Sequence, residues 1–262
     1  MPCATTFTKR LTLYQRSDGV WIIPREEFCR EHWTYREGQH VCFAGPTQNG
    51  KTKLAFQLLE FTASPDLPAY VAVSKPRDRV SSEEGARLGY RRHNAYPFPP
   101  KIKEMFKEGK PSGYLMWPDM DNPDTAMINA SRETRNLITS VYAEGAKGKK
   151  CILVLDDTVT KSKVLNLDKD MVMVLTMSGA MGIGGWFFVQ KPTGAGNTAL
   201  WSFSQSDHLF IAKDPDRRNR ERYNEIGGFD SKEVERICLT LKRFQFLYLE
   251  REHRYMCIVD AS

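Results

Sequence analysis

The segment CFAGPTQNGKTKLAFQLL, residues 42–59, constrains this chain more than any other stretch. It places a glycine-rich turn, a lysine and a threonine between an apolar strand and an apolar helix. Gly45, Pro46, Thr47, Gln48, Asn49, Gly50, Lys51 and Thr52 fit the spacing G-x-x-x-x-G-K-[ST], in the strand–turn–helix context that the motif requires. Glycines let the backbone curl so that successive N–H groups converge on phosphate oxygens, and the helix N-terminus adds its positive dipole end. Lys51 supplies a point charge for the β and γ phosphates, and the Thr52 hydroxyl is placed to ligate Mg²⁺. The turn predicts a nucleoside triphosphate site.

Such a site needs an acidic residue at the end of a neighbouring buried strand. The run CILVLDD, residues 151–157, supplies two. Asp156 is expected to bind Mg²⁺ through water, and Asp157 to polarise the attacking water. Gln190 ends the apolar run GGWFFVQ and is expected between the phosphate turn and the metal-binding strand, close to the γ phosphate. The guanine-reading pattern N/T-K-x-D is absent, which favours ATP over GTP.

The remaining apolar runs set the architecture. HVCFAG, AYVAVSK, SGYLMWP, KCILVLDD, GGWFFVQKP and DHLFIAKD read as strands. A helix is expected over about residues 51–61 and another over 123–145, with Asp124 as N-cap and Gly145 as stop. Near-continuous apolar strands alternating with helices indicate a largely parallel sheet covered on both faces. Two alternating runs read as hairpins at the ends of the chain. RLTLYQRSDGVWIIP turns at Asp18 and Gly19, and FQFLYLEREHRYMCIV turns near Glu252 and His253. The expectation is one α/β domain over residues 1–262: a β addition at 1–39, a core at 40–230, and a helix and hairpin at 231–262.

Composition narrows the class. The 262 residues are 41% hydrophobic and 27% charged, as in a globular protein. No apolar run is long enough to span a bilayer, and the first residues lack the apolar stretch of a signal peptide, so a cytoplasmic protein is expected. Six cysteines are scattered without a C-x-x-C pair, which argues against structural zinc and disulfides. The net charge of +6 is compatible with a polyanionic partner without establishing one.

The order of the phosphate turn, VAVSKPRD, YLMWPD, ILVLDD, MGIGGWFFVQKPTG, SDHLFIAKDPDRRNRERYNEIGG and the closing hairpin resembles the FtsK–HerA superfamily of ring-forming, DNA-translocating ATPases. The resemblance extends from about residue 40 to residue 259. It implies an α/β, RecA-like P-loop fold and a double-stranded DNA translocase using ATP and Mg²⁺. Of the functions within that superfamily, it points first to viral genome packaging and second to conjugative or mobile-element transfer. It further implies a homo-oligomeric ring of five or six subunits, with a capsid portal or membrane-channel partner in the cytoplasm or at a virion. On this resemblance Lys51 and Thr52 match the phosphate lysine and metal hydroxyl, Asp156 and Asp157 the metal and catalytic carboxylates, and Gln190 the polar sensor. Arg218 matches an arginine that can reach a neighbouring subunit's nucleotide. In SGAMGIGG, Gly179 stands where the resemblance expects an arginine. The trans charge then falls to Arg217, Arg218 or Arg222, or the trans contact is weak.

Basic residues on loops are candidates for gripping DNA phosphates: Lys161 and Lys163 in TVTKSKVLNLDKD, and Lys191 beside the glycines of KPTGAGNTA. Two other classes share a phosphate turn. One is a small-molecule kinase with an arginine-rich lid after residue 211, and the other is a nucleotide-gated switch.

Overall fold

The computed structural model describes residues 16–17, 19–97, 111–193 and 196–261, and in it the apolar runs become strands of one eleven-stranded sheet. In chain order the strands are β1 (Arg16–Ser17), β2 (Val20–Pro24), β3 (Val41–Ala44), β4 (Ala69–Ala72), β5 (Arg91–His93), β6 (Gly113–Met116), β7 (Cys151–Leu155), β8 (Ile183–Val189), β9 (His208–Ala212), β10 (Phe246–Glu250) and β11 (Tyr255–Asp260). Their order across the sheet is β1-β2-β11-β10-β9-β3-β8-β7-β4-β6-β5. From β9 to β5 every neighbouring pair is parallel. β10 continues the sheet antiparallel to β9, β11 runs antiparallel to β10, and β2 joins β11 in parallel.

The terminal hairpins therefore extend the central sheet. The C-terminal one forms where expected, from β10 and β11 around residues 251–254. The N-terminal one pairs Ser17 with Val20. Asp18 of its expected turn and residues 10–15 of the run RLTLYQRSDGVWIIP lie outside the described residues.

The helices are α1 (Arg25–Glu27, running into a wider π-helical turn at Phe28–His32), α2 (Lys51–Thr62), α3 (Arg79–Arg87), α4 (Pro123–Gly145), α5 (Asp168–Met177), α6 (Gly196–Gln205), α7 (Arg217–Arg220) and α8 (Ser231–Thr240). Both faces of the sheet are covered, which is why its central strands are apolar at every position. In β3, Val41 and Phe43 pack with Leu54, Phe56 and Leu58 of α2 on one face. Cys42 and Ala44 pack with Ala199 and Phe203 of α6 on the other. β7 divides likewise, with Ile152 and Val154 toward α2, and Leu153 and Leu155 toward Leu137 and Ile138 of α4 and Val174 of α5.

One capping expectation is corrected. The N-cap of α4 is Asn122, whose side chain accepts from Asp124 N at 3.0 Å, and Asp124 lies inside the first turn. Pro123 at the first helical position explains the shift: it has no N–H to satisfy and its fixed φ starts the helix two residues earlier. Helices α1, α3, α5 and α6 are not among the expected elements.

Candidate functional site

The parallel strands end at one edge, and the predicted site residues collect there. β3 runs into the phosphate turn, where Gly45 takes φ +131° and Gly50 takes φ +81°. A Cβ on Gly45 would lie 2.8 Å from Ala212 Cβ at the end of β9, so only glycine lets the turn pass that close. Gly50 is the N-cap of α2, which leaves the first N–H groups of that helix facing the turn.

Lys51 is buried at the head of α2 and donates to Gly45 O and Pro46 O, each at 2.6 Å. Burial pushes its ammonium down to about 8. Neighbouring Lys75 pushes the same way, while Asp157 and Asp214 oppose the shift.

β8 lies between β3 and β7, so its end separates the phosphate turn from the paired aspartates. A cavity of about 200 Å³ at this edge is lined by Thr47, Gln48, Gly50, Lys51 and Thr52, by Asp156 and Asp157, and by Gln190. Residues as far apart in the chain as Thr47 and Gln190 thus face one space. Arg218 is not among its lining. That arginine is exposed on α7, where its backbone N–H is capped by Asp216 Oδ1 at 3.0 Å.

The two aspartates differ in their surroundings. Asp156 is buried, and its Oδ1 accepts from Ser74 Oγ at 2.7 Å while Oδ2 accepts from Ser74 N at 3.2 Å. Asp157 takes the left-handed φ of +43°, and its Oδ1 accepts from Thr160 N at 3.1 Å. Next to it, Thr158 Oγ1 donates to Phe188 O at 3.0 Å and so ties this corner to β8.

Lys161 departs from its expected place on a DNA-facing loop. It is fully buried in a π-helical turn, Thr160–Val164, and donates to Ala72 O at 3.0 Å and Asp156 O at 2.7 Å. It also pairs with Asp156 Oδ1 and Ser74 Oγ. A lysine with a carboxylate and two carbonyls within reach is held inside, and its partners come from β4 and β7. Lys163 is exposed as expected, and so is Lys191.

Residues given no role at the site from the sequence also belong here. Lys75 and Asp78, just past β4, line the cavity with the phosphate turn. Asp214, buried at the end of β9, accepts from Asn219 Nδ2 at 3.0 Å, and Thr193 Oγ1 donates to Asn219 Oδ1 at 3.0 Å. The network joins the segments that follow β8 and β9. A polar residue directly after an apolar strand was the available signal for Lys75 and Asp214. It marks the same edge in AYVAVSK and HLFIAKD as in CILVLDD. Gly179, where an arginine was expected, packs against backbone: a Cβ there would lie 3.0 Å from Gly38 O.

A phosphate-turn strand separated by one strand from a strand ending in aspartate, in a sheet that is mostly parallel, defines the RecA-like fold of P-loop NTPases. The solved structures it resembles are of that kind. The genome-packaging NTPase B204 of Sulfolobus turreted icosahedral virus 2, in complex with ATPγS, matches with a TM-score of 0.57 and 14% identity, over 86% of this chain and 98% of that one. The DNA-packaging ATPase B204 of Sulfolobus turreted icosahedral virus matches at 0.53 and 13%, over 87% and 100%. The pCW3 conjugation coupling protein TcpA with ATPγS matches at 0.50 and 14%, over 85% and 60%. No family profile and no curated protein sequence matches the chain.

Proposed function

We propose that the chain is an ATPase that moves double-stranded DNA, acting as a ring of identical subunits in genome packaging. One observation carries this reading: a single cavity lined by the phosphate turn, Asp156, Asp157 and Gln190, with the Gln190 strand end between the other two. The packaging and conjugation proteins that share the fold support the DNA-moving part.

The residues fit Mg²⁺, a hard cation that takes oxygen ligands and keeps several waters. The Thr52 hydroxyl and Asp156 would hold it. Asp156 already accepts from Ser74 and Lys161, which suits contact through water. When bound, the ion offsets charge on the β and γ phosphates.

The protein's own groups do the rest. Backbone N–H groups of the turn hold the phosphates, and Lys51 leaves the carbonyls of Gly45 and Pro46 to neutralise the γ phosphate. Asp157, pinned by Thr160 N, orients and polarises the attacking water. Gln190 senses the γ phosphate and passes its loss to the segment after β8. Arg218, exposed on α7, reaches the nucleotide of the next subunit. Lys163 and Lys191 are the exposed lysines offered to DNA phosphates, and the ring docks on a capsid portal in the host cytoplasm or virion.

The test is ATP turnover with and without double-stranded DNA across a salt series. DNA should raise turnover, and the effect should fade steeply with salt and vary little with DNA sequence. Turnover indifferent to DNA at low salt would reject the translocase reading while leaving an ATPase.

A further inference from the structure

The residues assigned so far specify the phosphate end of a nucleotide and leave the base end open. Asp156, Asp157 and Gln190 come from the ends of β7 and β8, all on one side of the phosphate turn. On the other side lie β9 and β10. Because β10 runs antiparallel to β9 and pairs Phe246 with Ala212, its first residues return to the edge where the phosphate turn sits. The turn ahead of β10, residues 242–245, carries Arg243 and Phe244 to that edge.

Phe244 does not behave as a core residue. The residue is 37% exposed, and a Cβ on Gly50 would lie only 3.2 Å from its Cδ1, so the ring edge rests on the phosphate turn itself. The Arg243 guanidinium lies over the ring, 4.6 Å from its centroid. The backbone of Phe244 has φ +68°, a left-handed conformation that a bulky residue adopts only when its surroundings impose it.

Those surroundings are specific. Lys242 N donates to Gln245 Oε1 at 2.8 Å, Gln245 N donates to Lys242 O at 3.2 Å, and Gln245 Nε2 donates to Asp260 Oδ2 at 3.1 Å. Buried Arg25 donates through Nη2 to Phe244 O and through Nη1 to Gln57 Oε1 of α2. The turn is thus braced from α1 and β11, and through Arg25 from α2, and the bracing keeps an aromatic ring in view of solvent beside Gly50.

We propose that Arg243 and Phe244 form the stacking surface for the purine of the nucleotide whose phosphates lie in the turn at residues 45–52. An aromatic face and a planar cation both stack on a base, and purines offer the larger face. The proposal rests on the triphosphate reading of that turn.

The experiment separates base from phosphates by titrating AMP-PNP and inorganic tripolyphosphate, each with Mg²⁺, into wild type, Phe244→Asn and Phe244→Trp. Asparagine tolerates a positive φ, so that variant removes the ring without straining the turn. Phe244→Asn should bind AMP-PNP roughly tenfold more weakly or worse, with tripolyphosphate affinity unchanged, and Phe244→Trp should hold AMP-PNP as well as wild type. Unchanged AMP-PNP affinity in Phe244→Asn, or equal weakening of both ligands, overturns the stacking surface and leaves the phosphate site standing. A wild type that binds neither ligand overturns the triphosphate reading itself.

Discussion

Replacing Lys161 by methionine should cost more stability than any exposed lysine in the chain, and the structure sets the scale. The Lys161 side chain is 1% exposed and its partner Asp156 is 8% exposed. Methionine keeps most of the apolar stem and removes the ammonium. Ala72 O, Asp156 O and Asp156 Oδ1 then lose their donor, and the carboxylate keeps only Ser74. Breaking a buried pair from one side costs about 3–5 kcal/mol, because the remaining charge is stranded. That is a large share of a typical total of about 5–15 kcal/mol. In a chain of this size it lowers the melting temperature by roughly 6–20 °C.

The assay is urea denaturation of the nucleotide-free protein, with Lys163→Met as an exposed control expected within about 0.5 kcal/mol of wild type. The double variant Lys161→Met, Asp156→Asn removes the stranded charge. It should be less damaged than the sum of the two single variants by about 1 kcal/mol or more. A cost below about 1 kcal/mol for Lys161→Met, or strict additivity in the cycle, would refute the buried pair.

Four further outcomes are expected. Lys51→Ala should lose nucleotide binding and turnover together. Asp157→Asn should still bind Mg²⁺-ATP in calorimetry while turnover falls by orders of magnitude, since asparagine suits the left-handed φ and can still accept from Thr160 N. Arg218→Ala should bind ATP normally and hydrolyse slowly, and mixing it with Lys51→Ala should recover turnover once labelled protein shows subunit exchange. No recovery at any ratio would place Arg218 outside a shared site. Acid should destabilise the fold through His40 and His208, which burial holds down at about 4. Their unfolded value is 6.5, so the unfolded chain takes up protons first and stability falls as pH drops from about 6.5 toward 4. Each histidine is worth about 3 kcal/mol across that window. Urea midpoints between pH 7 and pH 4.5 measure the fall, and His208→Gln should flatten it.

Much of the fold and half of the site could be read along the chain, because the relevant physics is local. A glycine turn between an apolar strand and an apolar helix presents backbone N–H groups whatever lies elsewhere. Runs such as CILVL and HLFIA announce strands buried on both faces without reference to their neighbours. Asp156, Asp157 and Gln190 were legible for the same reason: each is a polar residue closing such a run. The tertiary structure alone decided what those ends face. Strand order, set by burying both faces of the sheet at once, put β8 between β3 and β7 and brought the start of β10 back beside Gly50. Lys161 shows the limit most clearly. Its neighbours in sequence suggest a solvated loop, yet its partners Ala72 and Ser74 are 89 and 87 positions away. Asp156 is near in sequence, but burying the ammonium also needs those distant groups, and no local pattern carries that information.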